Sequence, residues 1–93
     1  MNPEMMRRLK KMQAELEKKQ AELDKKEFTV EKQGIKVVIR GDLQIVKIDL
    51  MQELVDPDDK ELLEDLMVVA FNEAIDLIQE EQEKITSQMP GGL

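Results

Sequence analysis

The stretch LLEDLMVVAFNEA, Leu62 to Ala74, has a helical period and too much apolar surface for one packing partner. Leu63, Met67, Ala70 and Ala74 recur at helical spacing and define one face. Leu62, Leu66, Val68, Val69 and Phe71 are apolar as well and lie outside it. Polar positions collect near Asp65, Asn72 and Asp76, with Glu64 and Glu73 isolated. A chain of 93 residues makes one domain at most, and a domain of that size has little interior. Such a helix needs more covering surface than one short chain supplies. A twofold homodimer is the simplest source, because monomers rarely leave large apolar patches bare. Leu62, Leu66, Val69, Phe71 and Asn72 are the helical candidates for that interface.

The remaining elements follow from local patterning. Residues 3–26 read as a helix with Asn2 as N-cap and Pro3 in the first position. Met5, Leu9, Met12, Leu16 and Leu23 step by 4, 3, 4 and 7, a narrow heptad seam that skips Lys19. Glu15–Lys19 and Glu22–Lys26 are spaced for favourable i,i+4 pairing. The period then changes to two. FTVEKQ, IKVVIR and LQIVKIDL read as three strands of an antiparallel meander, with turns at Gly34 and at Gly41–Asp42. In the third strand Leu43 and Ile45 point one way, and Val46, Ile48 and Leu50 the other. Val38 and Val46 suggest that the second sheet face is not wholly wet, and both join the interface candidates. Asp56 caps and Pro57 starts a second helix from about 57 to 88, stopped by Pro90-Gly91-Gly92. The expected organisation is one α+β domain over 1–93: helix 1–26, strands 27–50, helix 57–88 and a flexible tail 89–93.

Length adds an architectural expectation. The helices run to ~36 and ~46 Å at about 1.5 Å per residue, against strands of only about 20–23 Å. The second helix is dense in apolar residues to Ile78 and sparse beyond it. The two helices are therefore expected to protrude together from the sheet as a narrow antiparallel arm. The methionines of the first helix, Met5, Met6 and Met12, read as packing within that arm. The alternative for them is an adaptable groove for a partner.

Composition removes most chemistry. The chain has no His, Cys, Trp or Tyr, and its only side-chain hydroxyls are Thr29, Thr86 and Ser87. Nucleophile–base pairs of the Ser-His or Cys-His kind cannot be assembled, nor can His or Cys metal sites. No enzyme, cofactor or small-molecule substrate is expected. No signal peptide or membrane-spanning run is read, so an intracellular protein is expected. DPDD, Asp56 to Asp59, lacks the glycine and the following acidic ligand of a divalent-cation loop, with Lys60 in the ligand's place. Helix capping accounts for it. Asp49 reads as a turn or cap residue.

Charge is divided along the chain. Residues 1–26 carry eight Lys/Arg and five Asp/Glu (+3), residues 27–50 four of each (0), and residues 51–93 two and twelve (−10). The net charge is −7. A basic end and an acidic half mean either attraction within the protein or a charged partner.

The ordered blocks MQAELEKKQAEL (12–23), Gly34 before a valine-rich strand, IRGDLQIVKIDL (39–50) and DDKELLEDLMVVAFNEA (58–74) resemble the YbaB/EbfC family of bacterial nucleoid-associated proteins. The resemblance spans nearly the whole chain, and the last block is its most specific part. It implies a homodimer with paired helical arms that binds duplex DNA with limited sequence preference, affecting nucleoid organisation and gene expression from the cytoplasm. For so acidic a chain, phosphate contact is restricted to RRLKK: Arg7, Arg8, Lys10 and Lys11, extended by Lys18 and Lys84. Glu80, Glu81 and Glu83 are expected at similar height on the second helix. Binding should then be weak and salt-sensitive. The competing expectation is an acidic dimeric adaptor whose arms grip a protein partner, possibly in DNA repair, without touching DNA. Asn72 and Glu73 match the family's words and are read as ordering the junction of helix and dimer.

Overall fold

The computed structural model describes residues 2–88. In chain order it contains α1 (Pro3–Lys25), β1 (Glu27–Lys32), β2 (Ile35–Arg40), β3 (Ile45–Leu50), the 3-10 turns Gln52–Leu54 and Pro57–Asp59, and α2 (Lys60–Thr86). This is the α+β order expected, with an antiparallel sheet in the order β1-β2-β3. The expected stop at Pro90-Gly91-Gly92 and the tail 89–93 lie outside the described residues.

Local chemistry starts and ends these elements. Asn2 Oδ1 accepts from the Glu4 amide at 2.8 Å, and Pro3 occupies the first turn where no donor is needed. Gln33 and Gly34 join β1 to β2 with φ of 49° and 89°, the paired positive values of a tight hairpin turn. Asp56 Oδ1 accepts from the Asp58 amide at 3.0 Å, so it caps as expected. The helix it opens is only the 3-10 turn Pro57–Asp59, however. Asp59, at φ −134°, separates that turn from α2, which begins at Lys60 rather than at 57.

The core is one layer deep. Ile35, Val37 and Ile39 of β2 are buried against Ala70, Ala74 and Ile78 of α2. The two alanines let the helix backbone approach the sheet closely. Phe28, Val30, Leu54, Leu63, Leu66, Met67, Phe71 and Ile75 pack around this contact, partly buried. α2 lies over β1 and β2 and leaves β3 largely uncovered.

The third strand differs from its expected alternation. Leu50 pairs with Ile35 and Ile48 with Val37, but the register shifts at Val38/Ile39 and sets Ile45 opposite Ile39. The extra residue of this bulge, Val46, resets the phase, so Ile45, Ile48 and Leu50 share the core-facing side. Leu43, at φ 70°, and Gln44 belong to the turn: the Arg40 amide donates to the Gln44 carbonyl at 2.8 Å. Asp49 lies inside β3, 3.5 Å from Lys47, rather than at a turn or cap, because pairing continues to Leu50.

Gly41 joins α1 to the sheet. Its amide donates to the Lys26 carbonyl at 2.9 Å, and a Cβ placed on it would sit 1.8 Å from the Leu23 carbonyl oxygen. No side chain fits between the end of β2 and the last turn of α1. Gly41→Ala is expected to cost about 3 kcal/mol, the upper range for overpacking, because backbone must move. Urea unfolding of the variant checks this. Gly34→Ala is the second case: its φ of 89° strains an L residue, and its Cβ would meet Leu54 and Met51 side chains at 3.0 and 3.1 Å.

Candidate nucleic-acid interface

Among the described residues, the outer arm is a single helix. α1 and α2 are antiparallel neighbours only near the sheet. There Leu23 and Ile85 are buried, and Lys19 Nζ donates to Gln88 Oε1 at 2.6 Å. In an antiparallel pair, each step toward the start of α1 needs a further residue of α2, and α2 ends at Thr86. Among the described residues, 3–18 therefore continue alone for ~24 Å at ~1.5 Å per residue. The molecule is accordingly long, 69 × 21 × 14 Å. The expected two-helix arm exists at its base. Its outer part is α1 alone, because α2 is used first in crossing the sheet.

A reciprocal amide pair aligns that base. Gln20 Nε2 donates to Gln82 Oε1 at 2.8 Å, and Gln82 Nε2 donates to Gln20 Oε1 at 2.7 Å. Gln20 Nε2 also donates to Asp24 Oδ1 at 2.9 Å. Two part-buried amides that satisfy each other favour one helix pairing over its slips. Nothing in the local sequence singles out these glutamines among the other polar residues. Only the tertiary pairing does. The expected Glu15–Lys19 and Glu22–Lys26 ion pairs do not form among the described residues. Lys19 is drawn to Gln88, and Lys26 Nζ lies 5.1 Å from the Phe28 ring centroid.

Arg7, Arg8, Lys10 and Lys11 all lie on the solitary part of α1 and are exposed. None of them, nor Lys18, has a carboxylate within ion-pair distance among the described residues. At ~100° per residue, Arg7, Lys11, Lys18 and Lys25 fall within about 40° of one another, opposite the methionine seam. Arg8 and Lys10 flank this stripe. Lys25 was not among the sequence candidates, although its spacing of seven from Lys18 was the available signal. Lys84 stands apart, on α2, with Nζ 3.2 Å from Glu81 Oε2.

The acidic residues are not level with the basic run, contrary to expectation. Glu81 and Lys84 line one shallow depression with Lys19, Glu22 and Lys26, at the base of the arm. Arg7 to Lys11 project past the end of α2. The heights differ because α2 ends near the base of the arm.

The interface candidates are dispersed over two sides of α2 and both sheet faces. Lys32 Nζ lies 2.9 Å from Glu73 Oε1, so that side of α2 faces the β1 edge. Leu62, Leu66 and Val69 fall within about 40° of Glu73 around the helix. Leu66 packs against the core, whereas Leu62 and Val69 are exposed. Phe71 and Ile75 lie toward the opposite side, beside the strip of β3 that α2 leaves bare, with Val68 exposed near them. Asn72 is exposed. Val38 is half-buried on the outer sheet face, opposite Thr29 and Lys47, and Val46 is exposed at the bulge. Ile45, Ile48 and Leu50 join this surface without a local sequence signal, because their common side depends on the bulge. They are exposed by 46%, 39% and 37%.

The described residues contain no group of three or more carboxylates placed to hold a metal ion. No helix among them is long and apolar enough to cross a membrane.

Comparison with known proteins gives a consistent result. The model of the YbaB/EbfC DNA-binding family matches residues 1–93. A nucleoid-associated protein of Mycoplasmopsis pulmonis is 52% identical over 89 residues, covering 96% of this chain and 89% of its own. One from Mycoplasma mobile is 57% identical over 81 residues, covering 87% and 85%. One from Metamycoplasma arthritidis is 49% identical over 82 residues, covering 88% and 86%.

The amide pair makes a direct prediction. Gln82→Ala leaves Gln20 half-satisfied and should cost about 1–2 kcal/mol in urea unfolding. Amide exchange should accelerate in the last turns of α2 more than in the sheet.

Proposed function

The chain belongs to the YbaB/EbfC DNA-binding family, and from that premise we propose that it is a homodimeric, nucleoid-associated protein holding duplex DNA with low sequence preference. The observation that carries this reading is the basic run standing alone beyond the acidic half of the molecule. Arg7, Arg8, Lys10, Lys11 and Lys18 on a bare helix can approach phosphates without bringing the carboxylates of α2 with them. Contacts of that kind set affinity and position, and they carry little sequence information. Lys84, paired with Glu81, contributes less. Stacking on unpaired bases has no support, since Phe28 and Phe71 pack against the core.

The dimer reading rests on the apolar strip along Ile45, Ile48 and Leu50 and the adjoining side of α2. A second copy offers the same strip, and a twofold axis makes one surface serve both chains. Of the sequence candidates, Phe71 and Val46 lie nearest this strip, and Leu62, Leu66, Val69, Asn72 and Val38 lie farther round. Two arms on one dimer would contact one duplex at two places, which multiplies weak binding. Relatives named nucleoid-associated proteins support the same location for this chain. Effects on nucleoid organisation and gene expression belong to the same proposal. The net charge of −7 favours a second reading, an adaptor that grips a basic protein partner through its acidic half.

A duplex-shift titration across salt separates the two. Replacing Arg7, Arg8, Lys10 and Lys11 with Ala should abolish the shift and lower the log–log salt slope by about 3–4 per arm. No shift of duplex by the unaltered protein, even at low salt, would leave the adaptor reading in place. Light scattering should give the mass of two chains, and Ile48→Lys should reduce it to one while the far-ultraviolet spectrum is retained.

A further inference from the structure

The solitary part of α1 has a second face, opposite the basic stripe. Met5, Leu9 and Met12 line it and are exposed by 56%, 43% and 43%, with Leu16 half-buried at the inner end. Among the described residues these side chains have no partner on α2, which ends at Thr86. The seam continues the line along which Leu23 meets α2, so among the described residues it faces a lane that α2 does not fill.

We propose that this lane is filled by the same segment of α1 from a second copy, running antiparallel, so that two molecules join arm to arm. Setting the twofold axis between residues 10 and 11 stacks Met5 on Leu16, Leu9 on Met12, and their symmetry mates. Every seam position is thereby filled in an alternating layer. The flanking charges select this arrangement. Arg8 precedes Leu9 and Glu15 precedes Leu16, and both border the same side of the seam. Antiparallel pairing sets Arg8 of each copy beside Glu15 of the other, which gives two opposite-charge contacts per joint. On the other border Met6 meets Gln13, with no charge opposed. Parallel pairing would place Arg8 beside Gln13 and form no ion pair. Antiparallel helices also set their dipoles in opposition, and methionine adapts to an irregular seam.

The joint takes Arg8 from the set of phosphate contacts and leaves the rest of the basic stripe free. Arg7, Lys11 and Lys18 stay on the outer faces of the paired helices, so a joined assembly presents basic surface on both sides. It would hold two duplexes together rather than coat one. That last consequence rests on the DNA-binding reading, but the joint does not.

The test uses the full chain without DNA. The protein has no cysteine among its residues, so Leu9→Cys and Met12→Cys can be introduced singly. Oxidation of the two variants mixed should give a disulfide-linked pair faster than oxidation of either alone, because positions 9 and 12 are apposed only in the antiparallel joint. Faster linkage of Leu9→Cys with itself would overturn the proposal in favour of parallel pairing. Sedimentation at high protein concentration and low salt supplies the second arm. Arg8→Glu and Glu15→Arg should each abolish association beyond the basal species. Mixing the two variants, or combining them in one chain, should restore it. Single variants that associate as well as the unaltered protein would overturn the proposal. So would a seam that binds anionic vesicles while no association of chains is found. The Ile48→Lys background keeps this test apart from the sheet dimer: there the joint alone should take one chain to two.

Discussion

The contact of Ala70, Ala74 and Ile78 with Ile35, Val37 and Ile39 determines the rest of this molecule. Two small residues on the helix meet three branched residues on the central strand, so α2 settles close and directly over β2. A helix centred there reaches β1 on one side and leaves β3 bare on the other. It also uses most of its length on the sheet, with only its last turns left for α1. Both notable surfaces of the protein, the uncovered third strand and the solitary outer helix, are consequences of where those alanines lie.

Electrostatics follows the same geometry. This acidic protein separates its charges by length. Lys11 lies about 12 Å along α1 from Lys19, where α2 ends, at ~1.5 Å per residue. That distance exceeds the screening length of about 8–10 Å at physiological ionic strength. The basic end is thus felt by a ligand largely without the acidic half. The net charge of −7 describes the chain and not the surface of its basic end.

Most of the fold was legible because it depends on local patterns. Asn2-Pro3, the change of period at Phe28 and the capping at Asp56 each leave a mark within a few residues. The basic run was legible for the same reason, being contiguous. Errors arose where distant parts of the chain set the outcome. The bulge at Val46 inverted the expected phase of β3, because strand register is settled by pairing with β2. How much of the arm holds two helices depends on how far along the sheet α2 begins, which local sequence does not encode. Gln20 and Gln82 carried no local signal, yet they align the helices that position the arm.

By itself the sequence determined the element order, the separation of basic and acidic segments, the excess of apolar surface on α2 and the family. These follow from periodicity, capping and the order of residues, which are properties of short segments. Only the tertiary structure decided which apolar residues remain uncovered and which charges stand alone. Burial and charge isolation are set by what lies across from a residue, and that is fixed when α2 docks on the sheet.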